Sequence, residues 1–584
     1  MYVKRYVVRR GEKRYVYLRL VEAYRDEEGR VRHRVLHTLG REDELKASGQ
    51  LDQLAATFAR LDPPGAGIRR EVGPLLVVRH YLERLGVGRI VERLAPVRGR
   101  AFLTHGEVVV ALIANRLCAP APLYDISGWA SQAAVQELFS VPASLLNDDR
   151  LGRALEAIFP VAEAIRGEAL LAAIERFAVD ARRLHLDLTT LRVTGAYEGS
   201  ALVTKGWGSD RKVARQVKAL QATTPCGVSL YLRPDPGGSA EVALIGQALE
   251  RLRGLLPAGL CVVADSALGH LGNLCQLDRD GVRFIVPLRA DTGFRERFLT
   301  EVGHDGLRRI SYVSQREERL PAGKRTRYRG AVRSFPVTCP TTRKPHELRV
   351  AYIHSSEEEG AVCAARERAL QTAERELARL SRGLGGRHYD TLEKVTARAA
   401  TICRPAVTGL LVVEAGEEEG RLTLRYRRDE KAIEAAARAD GVYALCTNLP
   451  GRLSAERVLR LYKDQQIVER RHRDLKSTLR VRPVFLHNDD RIQALVGVVG
   501  LALLVFGLIE ADLRRRLGPG VRLPGLLPEG RSALPTGRSI LAAFQGLGLT
   551  YTPSGIALDR LTHTQRQILD LLGIGLLWPE QVAA

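Results

Sequence analysis

One short stretch of this sequence gathers the residue types that metal and phosphate chemistry require. Read as a helix, it places Tyr462, Glu469 and Lys476 on one face, because seven residues make almost two turns. The cations close to Glu469 are Arg470, Arg471, Arg473 and Lys476. A carboxylate among cations suits a site that holds a metal against a phosphate backbone. A solvated, salt-bridged surface helix is the plainer interpretation of the same residues.

Two further carboxylates occur where the pattern indicates β-strands. Leucines alternate with polar residues over 184–188, so Asp187 points away from the leucine face of a strand. Asp265 follows the continuous apolar run 260–264, which is typical of a strand buried on both faces. An aspartate at a strand end is usually a cap or a turn residue. The combination with Glu469, rather than either aspartate alone, therefore indicates a site.

Only the fold could bring Asp187, Asp265 and Glu469 together, because they are far apart in sequence. Three carboxylates can hold two divalent cations, and Mg²⁺ prefers oxygen ligands. Two such ions, roughly 4 Å apart, stabilise the attacking and the leaving oxygen of a phosphodiester. We therefore predict that these three residues are catalytic and bind two Mg²⁺ ions, for which Mn²⁺ can substitute.

The predicted elements around these acids run in the order three strands, helix, strand, helix, strand. The segments with clear patterns are the strands 184–189, 217–222, 228–232, 260–264 and 282–288 and the helix Ser239–Leu255, with Ser239 as its N-cap. This order is typical of a ribonuclease-H-like α/β fold, which has a mixed sheet and flanking helices. Sites in such open sheets form at the carboxyl ends of the strands.

Periodicity and chain breaks divide the sequence into six segments. They are a basic N-terminal hairpin region (1–65), a helical region that could bind DNA (66–180), the first part of the ribonuclease-H-like core (181–290), a β-rich insertion (291–440), the second part of the core with the Glu469 helix (441–515) and a C-terminal tail (516–584). In the first segment, two strand-like runs flank the turn 26–29, and a helix-like stretch over 44–61 precedes a break at 63–65. Helices over 454–479 and 489–513 close the core.

The charge of the chain favours a polyanionic partner. The 584 residues include 89 Lys and Arg against 67 Asp and Glu, which gives a net charge of +22 and a pI near 9.9. Such an excess most simply implies nucleic acid. A basic bias of the whole proteome, without any such partner, would explain it too.

Cysteines and apolar runs bear on the compartment. The eight cysteines are scattered without a Cys-x-x-Cys pair, so neither a disulfide framework nor a zinc site is indicated, and a reducing cytoplasm fits. The N-terminus has no apolar run of signal-peptide length. Ala494–Ile509 comprises 16 apolar or Gly residues. Because roughly 20 are needed to span a bilayer, we predict a buried helix here.

These motifs resemble those of the DDE transposases of bacterial insertion sequences, in the group named for a Tyr-x2-Arg-x3-Glu-x6-Lys signature. Tyr462, Glu469 and Lys476 fall at the spacing of that signature, and the resemblance covers most of residues 180–510. Further similarities are the first-Asp strand Leu186–Leu191, the second-Asp strand Val262–Asp265, Asn273, Arg482-Pro483-Val484, His487, the β-rich insertion and the basic hairpin 2–40.

Two positions depart from the family pattern. The Arg of the signature is Gln465 here, so any contact of that guanidinium is lost or supplied elsewhere, with Lys463 or Arg471 as candidates. The segment 206–210 follows the usual Gly-aromatic-Ser-Lys-Asp run only loosely. Neither departure touches the three carboxylates.

The resemblance implies a DNA transposase that binds the terminal inverted repeats of its insertion sequence. It would catalyse metal-dependent strand cleavage and strand transfer, in which water and then a DNA 3′-hydroxyl attack phosphodiesters (cut-and-paste transposition). The DNA-binding residues would be Tyr462, Lys476, Arg470, Arg471 and Arg473. Double-stranded DNA, both element ends and target, is the implied partner. A homodimer in the DNA complex and a cytoplasmic, nucleoid-associated location without a membrane are implied as well.

Two alternatives stay open. One is a metal-dependent nuclease or junction resolvase of the same fold, against which the long insertion and the Tyr/Glu/Lys spacing argue. The other is a catalytically inactive DNA-binding protein derived from a transposase, against which the intact acids argue.

Overall fold

The computed structural model describes most of the chain and divides it into two compact units. The described residues are 2–10, 13–25, 31–48, 50, 67–97, 101–207, 212–256, 259–314, 316–403, 407–481, 486–552 and 555–580. The first unit comprises Met1–Ala181, Asp187–Leu256 and Ile467–Ala584, and the second comprises Arg182–Leu186 and Pro257–Gln466. The chain is mixed α/β, with a large mixed sheet and helices.

The first unit begins with a three-stranded antiparallel sheet. Its elements are the strands β1 (Tyr2–Arg10), β2 (Lys13–Arg25) and β3 (Val31–Arg41), followed by the short helix α1 (Glu42–Ala47). The pairing of β2 with β3 confirms the predicted hairpin. Its turn at 26–29, most of the predicted helix over 44–61 and the break at 63–65 lie outside the described residues.

A helical region follows, as the sequence predicted. After the short strand β4 (Arg69–Glu71), its helices are α2 (Leu75–Leu85), α3 (Val87–Leu94), α4 (His105–Cys118), α5 (Ile126–Gln132), α6 (Val135–Phe139), α7 (Asp148–Ile158) and α8 (Ala162–Phe177). Local signals set their ends. Gly86 has a φ of +75° and separates α2 from α3, while Thr104 and Glu107 form a capping box at the start of α4.

The strands of the first unit carry Asp187. Its elements are the later residues of β5 (Arg183–Arg192), then β6 (Thr204–Trp207), β7 (Val213–Thr223), β8 (Ser229–Pro236) and the helix α9 (Glu241–Leu255). β7 is antiparallel to both β6 and β8. The three predicted strands are confirmed. Ser239 is not the N-cap of α9, because the helix begins later and Ala240 occupies that position without a side-chain cap.

The second unit is built on a longer sheet, in the order β11-β12-β13-β16-β10-β9 followed by the first residues of β5. Its elements are β9 (Cys261–Val263), α10 (Leu271–Arg279), β10 (Arg283–Pro287), α11 (Phe294–Glu301), β11 (Arg308–Ile310), β12 (Tyr328–Thr338), β13 (Pro345–Ser355) and, further along the chain, β16 (Val442–Thr447). β9 is parallel to β5 and to β10, whereas β16 is antiparallel to β10 and β13. Strands from the predicted insertion thus hydrogen-bond into the same sheet as β9.

The rest of the predicted insertion is mixed rather than β-rich. It contains α12 (Ser356–Arg382), α13 (Leu392–Ile402), β14 (Leu411–Glu418), β15 (Arg421–Arg428) and α14 (Glu430–Ala437). Leu370, Leu377 and Leu380 of the 27-residue helix α12 pack with residues of α13, β14 and β15 in a small separate core. These leucines recur at helical spacing, so they form one apolar face on an otherwise charged helix.

The predicted single helix over 454–479 is interrupted, which corrects the expectation that Tyr462, Glu469 and Lys476 share one helical face. The elements are α15 (Ala455–Lys463), α16 (Gln466–Arg473) and a π-helical turn (Asp474–Thr478). The physical cause is local: the backbone N–H of Gln465 donates to the Tyr462 carbonyl, three residues back, which breaks the α-helical register. Tyr462 therefore lies on a different helix from Glu469, and in the other unit.

The first unit closes with a long apolar helix and a short tail. The elements are α17 (Asp489–Leu517), α18 (Gly537–Ala542), β17 (Gly548–Thr552), β18 (Gly555–Leu558) and α19 (His563–Leu572). By length and composition α17 could cross a membrane, and so could α4 taken with the segment 123–132, although that pair is bent by 97°. In α17, 89% of the most apolar window is buried inside the protein, as predicted for a core helix. β17 pairs with both β18 and β4.

Candidate active site

Asp187 lies in the middle of β5 and is held by two contacts within the first unit. Its Oδ1 accepts a hydrogen bond of 2.8 Å from the backbone N–H of Leu188. Its Oδ2 lies 3.5 Å from Nδ1 of His472 on α16. The carboxylate thus contacts the helix that carries Glu469, while a shared site of Asp187 and Glu469 stays a prediction.

Sequence reasoning missed His472, whose side chain is 11% exposed. Burial, and after it the nearby ammonium of Lys476, lower the pKa of this imidazole to about 3. The ring is therefore neutral at physiological pH and does not neutralise Asp187. Its position three residues after Glu469, on the same side of one helix, was the available signal.

Glu469 lies in the first turn of α16 and is exposed. Its side chain makes no hydrogen bond or ion pair with any residue that the structure describes. His472, which contacts Asp187, lies three residues after Glu469 on the same helix α16. Lys476 lies in the π-helical turn and is close enough to His472 to affect its pKa.

Asp265 follows β9 in the second unit and acts as a cap. Its Oδ1 accepts a hydrogen bond of 3.0 Å from the backbone N–H of Ala267, at the start of a short turn of 3₁₀ helix over Ser266–Leu268. The side chain is half-buried. One oxygen thus has the plain structural role that the sequence offered as the alternative.

These acids fit a divalent metal in their chemistry, since carboxylate oxygens are the ligands that Mg²⁺ and Mn²⁺ prefer. Glu469 is an unpaired carboxylate within the described part of the chain, and Asp187 lies beside an imidazole whose pKa is lowered to about 3. Within that same part, no group of three or more His, Cys, Asp and Glu side chains is arranged to hold a metal. The convergence of Asp187, Asp265 and Glu469 on one metal site therefore stays a prediction.

The predicted DNA contact of Arg471 is not supported, because its side chain is fully buried. Its Nε donates to the Gly227 carbonyl at 2.6 Å, and its Nη1 donates to Asp474 at 2.9 Å. Its Nη2 lies 3.0 Å from the equally buried Glu510. This guanidinium compensates charges inside the protein and has no surface left for a phosphate. Arg471 also cannot replace the missing signature guanidinium.

The other predicted DNA-binding residues keep accessible surface. Arg470 is about one-third exposed, and its Nη1 lies 3.7 Å from Oε1 of Glu510. Arg473 is exposed, and Lys476 is half-buried. All three cations are therefore available to solvent on the same segment as Glu469, and they remain candidates for phosphate contact.

Tyr462 and Lys463 lie elsewhere, in the second unit. Both line a cavity of about 940 Å³ among α11, α12, α14 and α15. The ammonium of Lys463 lies 5.6 Å from the ring centre of Tyr328 and 5.9 Å from that of Tyr443. Burial lowers the pKa of Lys463.

The position of the missing signature arginine has an unexpected neighbour. Gln465 is half-buried, and its Oε1 has no hydrogen-bond partner among the described residues. The preceding residue, Asp464, pairs with Arg183 of β5 at 2.7 Å. A guanidinium is thus present beside this turn, and a strand supplies it rather than the signature helix.

Comparison with known proteins gives a family for most of the chain. Residues 4–64 match the family model for the N-terminal domain of IS1634 family transposases, and residues 69–164 match a domain of unknown function, DUF4277. Residues 179–505, more than half of the chain, match the model for the transposase DDE domain. No curated protein matches.

Among solved structures, one similar chain is the cryo-EM structure of a piggyBac transposase synaptic complex with hairpin DNA. The two chains are 9% identical, the likeness covers 76% of this chain and 77% of that one, and the TM-score is 0.35. So weak a likeness adds nothing to the assignment. The matched DDE domain spans the strand of Asp187, the strand end of Asp265 and the helix of Glu469, and the chain belongs to the DDE transposases of insertion sequences.

Proposed function

We propose that this DNA transposase cuts and joins the ends of its insertion sequence with Asp187, Asp265 and Glu469 as the metal-binding residues. The observation that carries the proposal is the contact of Asp187 with His472, since it ties the first acid to the helix of the third. The matched DDE domain spans all three.

A ribonuclease-H-like core is part of the proposal. Its five strands in chain order would be β5, β7, β8, β9 and β10. In the first unit β7 pairs with β8, and in the second unit β9 lies between β5 and β10 in parallel pairs. With α9 between β8 and β9 and α10 between β9 and β10, these elements follow the order expected from the sequence. The six-segment domain division stays a proposal alongside it.

The chemistry follows from the residues that surround the acids. Divalent ions, when bound, would activate the attacking hydroxyl and stabilise the leaving oxygen. His472, being neutral and buried, restrains Asp187 without adding positive charge that would compete with a cation. Arg470, Arg473 and Lys476 would hold backbone phosphates near the reacting bond. We propose two Mg²⁺ ions, with Mn²⁺ as a substitute.

Lys476→Ala should slow cleavage and joining more than it weakens first binding of DNA. Lys476 lies in the π-helical turn that directly follows the helix of Glu469 and His472, and we propose that a cleaved end is held along this segment. The loss of one charged hydrogen bond costs about 1–3 kcal/mol, which corresponds to roughly a 5- to 150-fold lower rate. Single-turnover cleavage of an end-bearing duplex measures it. Lys476→Arg should retain most activity, and Lys394→Ala, which removes an exposed ammonium, serves as the control. An unchanged rate in Lys476→Ala would remove this residue from the site.

The partners and setting follow from the same proposal. The substrates would be the terminal inverted repeats and a target duplex, bound by a homodimer in the DNA complex. Its place would be the cytoplasm, in association with the nucleoid where its substrates lie. Size measurement of the protein with and without a paired-end DNA tests the dimer, since two ends must be held together for joining.

The test of the function is incubation of the protein with Mg²⁺ and a fragment that carries its own element ends. Joined products, in which an element 3′ end is linked to a second duplex, are the expected result. Cuts without preference for the ends would indicate a nuclease of the same fold. Binding without any cut would indicate an inactive derivative.

A further inference from the structure

A strongly basic groove lies in the second unit, on elements that carry none of the three acids. It has a volume of about 800 Å³ and lies between the edge strand β11, the strand β12 and the first turn of α15. Its cationic lining residues are Arg308, Arg309, Arg333, Arg457 and Arg460, and Glu456 is the one acid among the described residues that line it. We propose that this groove binds the phosphodiester backbone of duplex DNA without regard to base sequence.

The arginines differ in how far the protein already uses them. Arg460 is held by Glu456 and by the Ser311 carbonyl. By contrast, Arg308, Arg309 and Arg457 are exposed and make no ion pair with any residue that the structure describes. Three arginines that make no ion pair with any described residue are therefore among those that line one concave surface, where they attract a polyanion.

The close approach of α15 to the sheet forms the groove. Gly330 of β12 pairs with Arg308 of β11. A Cβ atom at this glycine would come within 2.8 Å of the Cβ of Ala455 and 2.9 Å of Ile310. Because position 330 has no side chain, the first residue of α15 packs directly on the strand.

The placement of Arg457 costs stability and so favours a binding role. It lies in the first turn of α15, where the backbone N–H groups carry partial positive charge, so a cation there is unfavourable. The same N–H groups favour an anion. An arginine placed unfavourably at the positive end of its helix is consistent with a negatively charged ligand.

The chemistry of the lining indicates backbone contact rather than base reading. Apart from its charged residues, the lining consists of Gly, Ser and apolar residues, and no Asn, Gln or His is among its described members. Arginine contacts to phosphates fix the position of a duplex but carry no sequence information. The ligand inferred is therefore target or flanking DNA rather than the terminal repeat sequence.

A charged edge strand has another common explanation. Arg308 and Arg309 lie on β11, at the edge of the sheet, where charged side chains prevent pairing with another chain. That explanation accounts for these two arginines but not for Arg333 and Arg457, which come from β12 and α15. The experiment separates the two explanations.

The test is the salt dependence of binding to a random-sequence duplex that lacks element ends. In the full chain, the triple variant Arg308→Gln, Arg309→Gln, Arg457→Gln should lose three phosphate contacts. Each phosphate contact contributes about −0.9 to the slope of log affinity against log salt concentration. Between 50 and 200 mM salt, the affinity of the wild type should therefore fall by about 40-fold more than that of the variant. The matched control removes three exposed arginines of the same unit: Arg368, Arg379 and Arg387.

The groove proposal rests on the proposed function only in taking DNA as the partner, and the outcomes test the two separately. The control triple variant should keep the wild-type slope, and an Arg→Lys triple variant of the groove should restore most of it. An unchanged slope in the groove Gln variant, or an equal change in the control, overturns the groove. End cleavage in Mg²⁺ is measured separately. If the wild type fails to cleave the ends but the groove Gln variant has a lower salt slope, the proposed function is contradicted and the groove proposal stands.

Discussion

Asp187→Asn, Asp265→Asn and Glu469→Gln should each abolish strand cleavage while DNA binding stays nearly intact. Each change keeps the shape of the side chain and removes the negative charge that a hard divalent cation requires. Metal stabilisation of the reacting oxygens is worth several kcal/mol. We therefore expect at least about a thousandfold slower cleavage, since each 1.36 kcal/mol is tenfold in rate. Cleavage in Mg²⁺ and a binding isotherm on the same end-bearing duplex measure the two effects.

A matched control for these variants is Glu198→Gln, which removes an exposed carboxylate of the first unit. It should cleave at the wild-type rate, because it lies outside the three predicted ligand positions. A variant of Asp187, Asp265 or Glu469 that cleaves normally would exclude that residue from the chemistry. Loss of binding together with cleavage would instead indicate that the variant is misfolded.

Glu510→Gln should be strongly destabilising. Glu510 is fully buried, and its carboxylate lies 3.0 Å from Arg471 and 2.9 Å from Arg514. It also accepts a hydrogen bond from the backbone N–H of Gly537. Removal of one partner of a buried ion pair leaves an uncompensated charge and costs about 3–5 kcal/mol. Urea denaturation of the variant and the wild type measures the difference in unfolding free energy.

Two comparisons make this prediction specific. Arg566→Gln breaks the more exposed pair of Arg566 with Glu580 and should cost no more than about 1 kcal/mol. The double variant Arg471→Met, Glu510→Leu removes both buried charges and should recover part of the loss. A Glu510→Gln protein as stable as the wild type would show that the buried pair contributes nothing.

The same carboxylate gives the direction of a pH dependence. Burial by itself would raise the pKa of Glu510, but Arg471 and Arg514 outweigh it and hold this pKa below its ordinary value. Because the pKa of Glu510 is lower in the folded than in the unfolded state, its ionised carboxylate stabilises the fold above the unfolded pKa. This stabilisation is lost as the pH falls through the folded pKa. The stability gap between the wild type and Glu510→Gln should therefore narrow as the pH falls below about 4.

Periodicity was enough to predict the strands that carry the aspartates. Alternating leucines locate the strand of Asp187, and a continuous apolar run locates the strand before Asp265, because burial on one or both faces leaves a direct pattern in sequence. The helix of Glu469 was predicted too long. Its interruption depends on one backbone hydrogen bond at Gln465, for which no side-chain pattern exists.

The partners of charged residues were beyond reach of the sequence. Arg471 lies in a run of cations, which predicts a solvent-exposed side chain, yet it is buried in an ion pair with Glu510 of α17. Glu510 directly follows the apolar run, and a buried acid at that point is the one hint that a buried cation must face it. His472 was missed for the same reason, since its meaning depends on contact with a strand far away in sequence.

The central claim is that Asp187, Asp265 and Glu469 bind the metal that is used for cleavage. The most direct measurement replaces each by cysteine and compares end cleavage in Mg²⁺ and in Mn²⁺. A thiolate is a poor ligand for Mg²⁺ and a better one for the softer Mn²⁺. All three variants should fail in Mg²⁺ and recover at least about tenfold in Mn²⁺, while Glu198→Cys behaves as wild type in both. Wild-type cleavage in Mg²⁺ by any of the three cysteine variants would contradict the account.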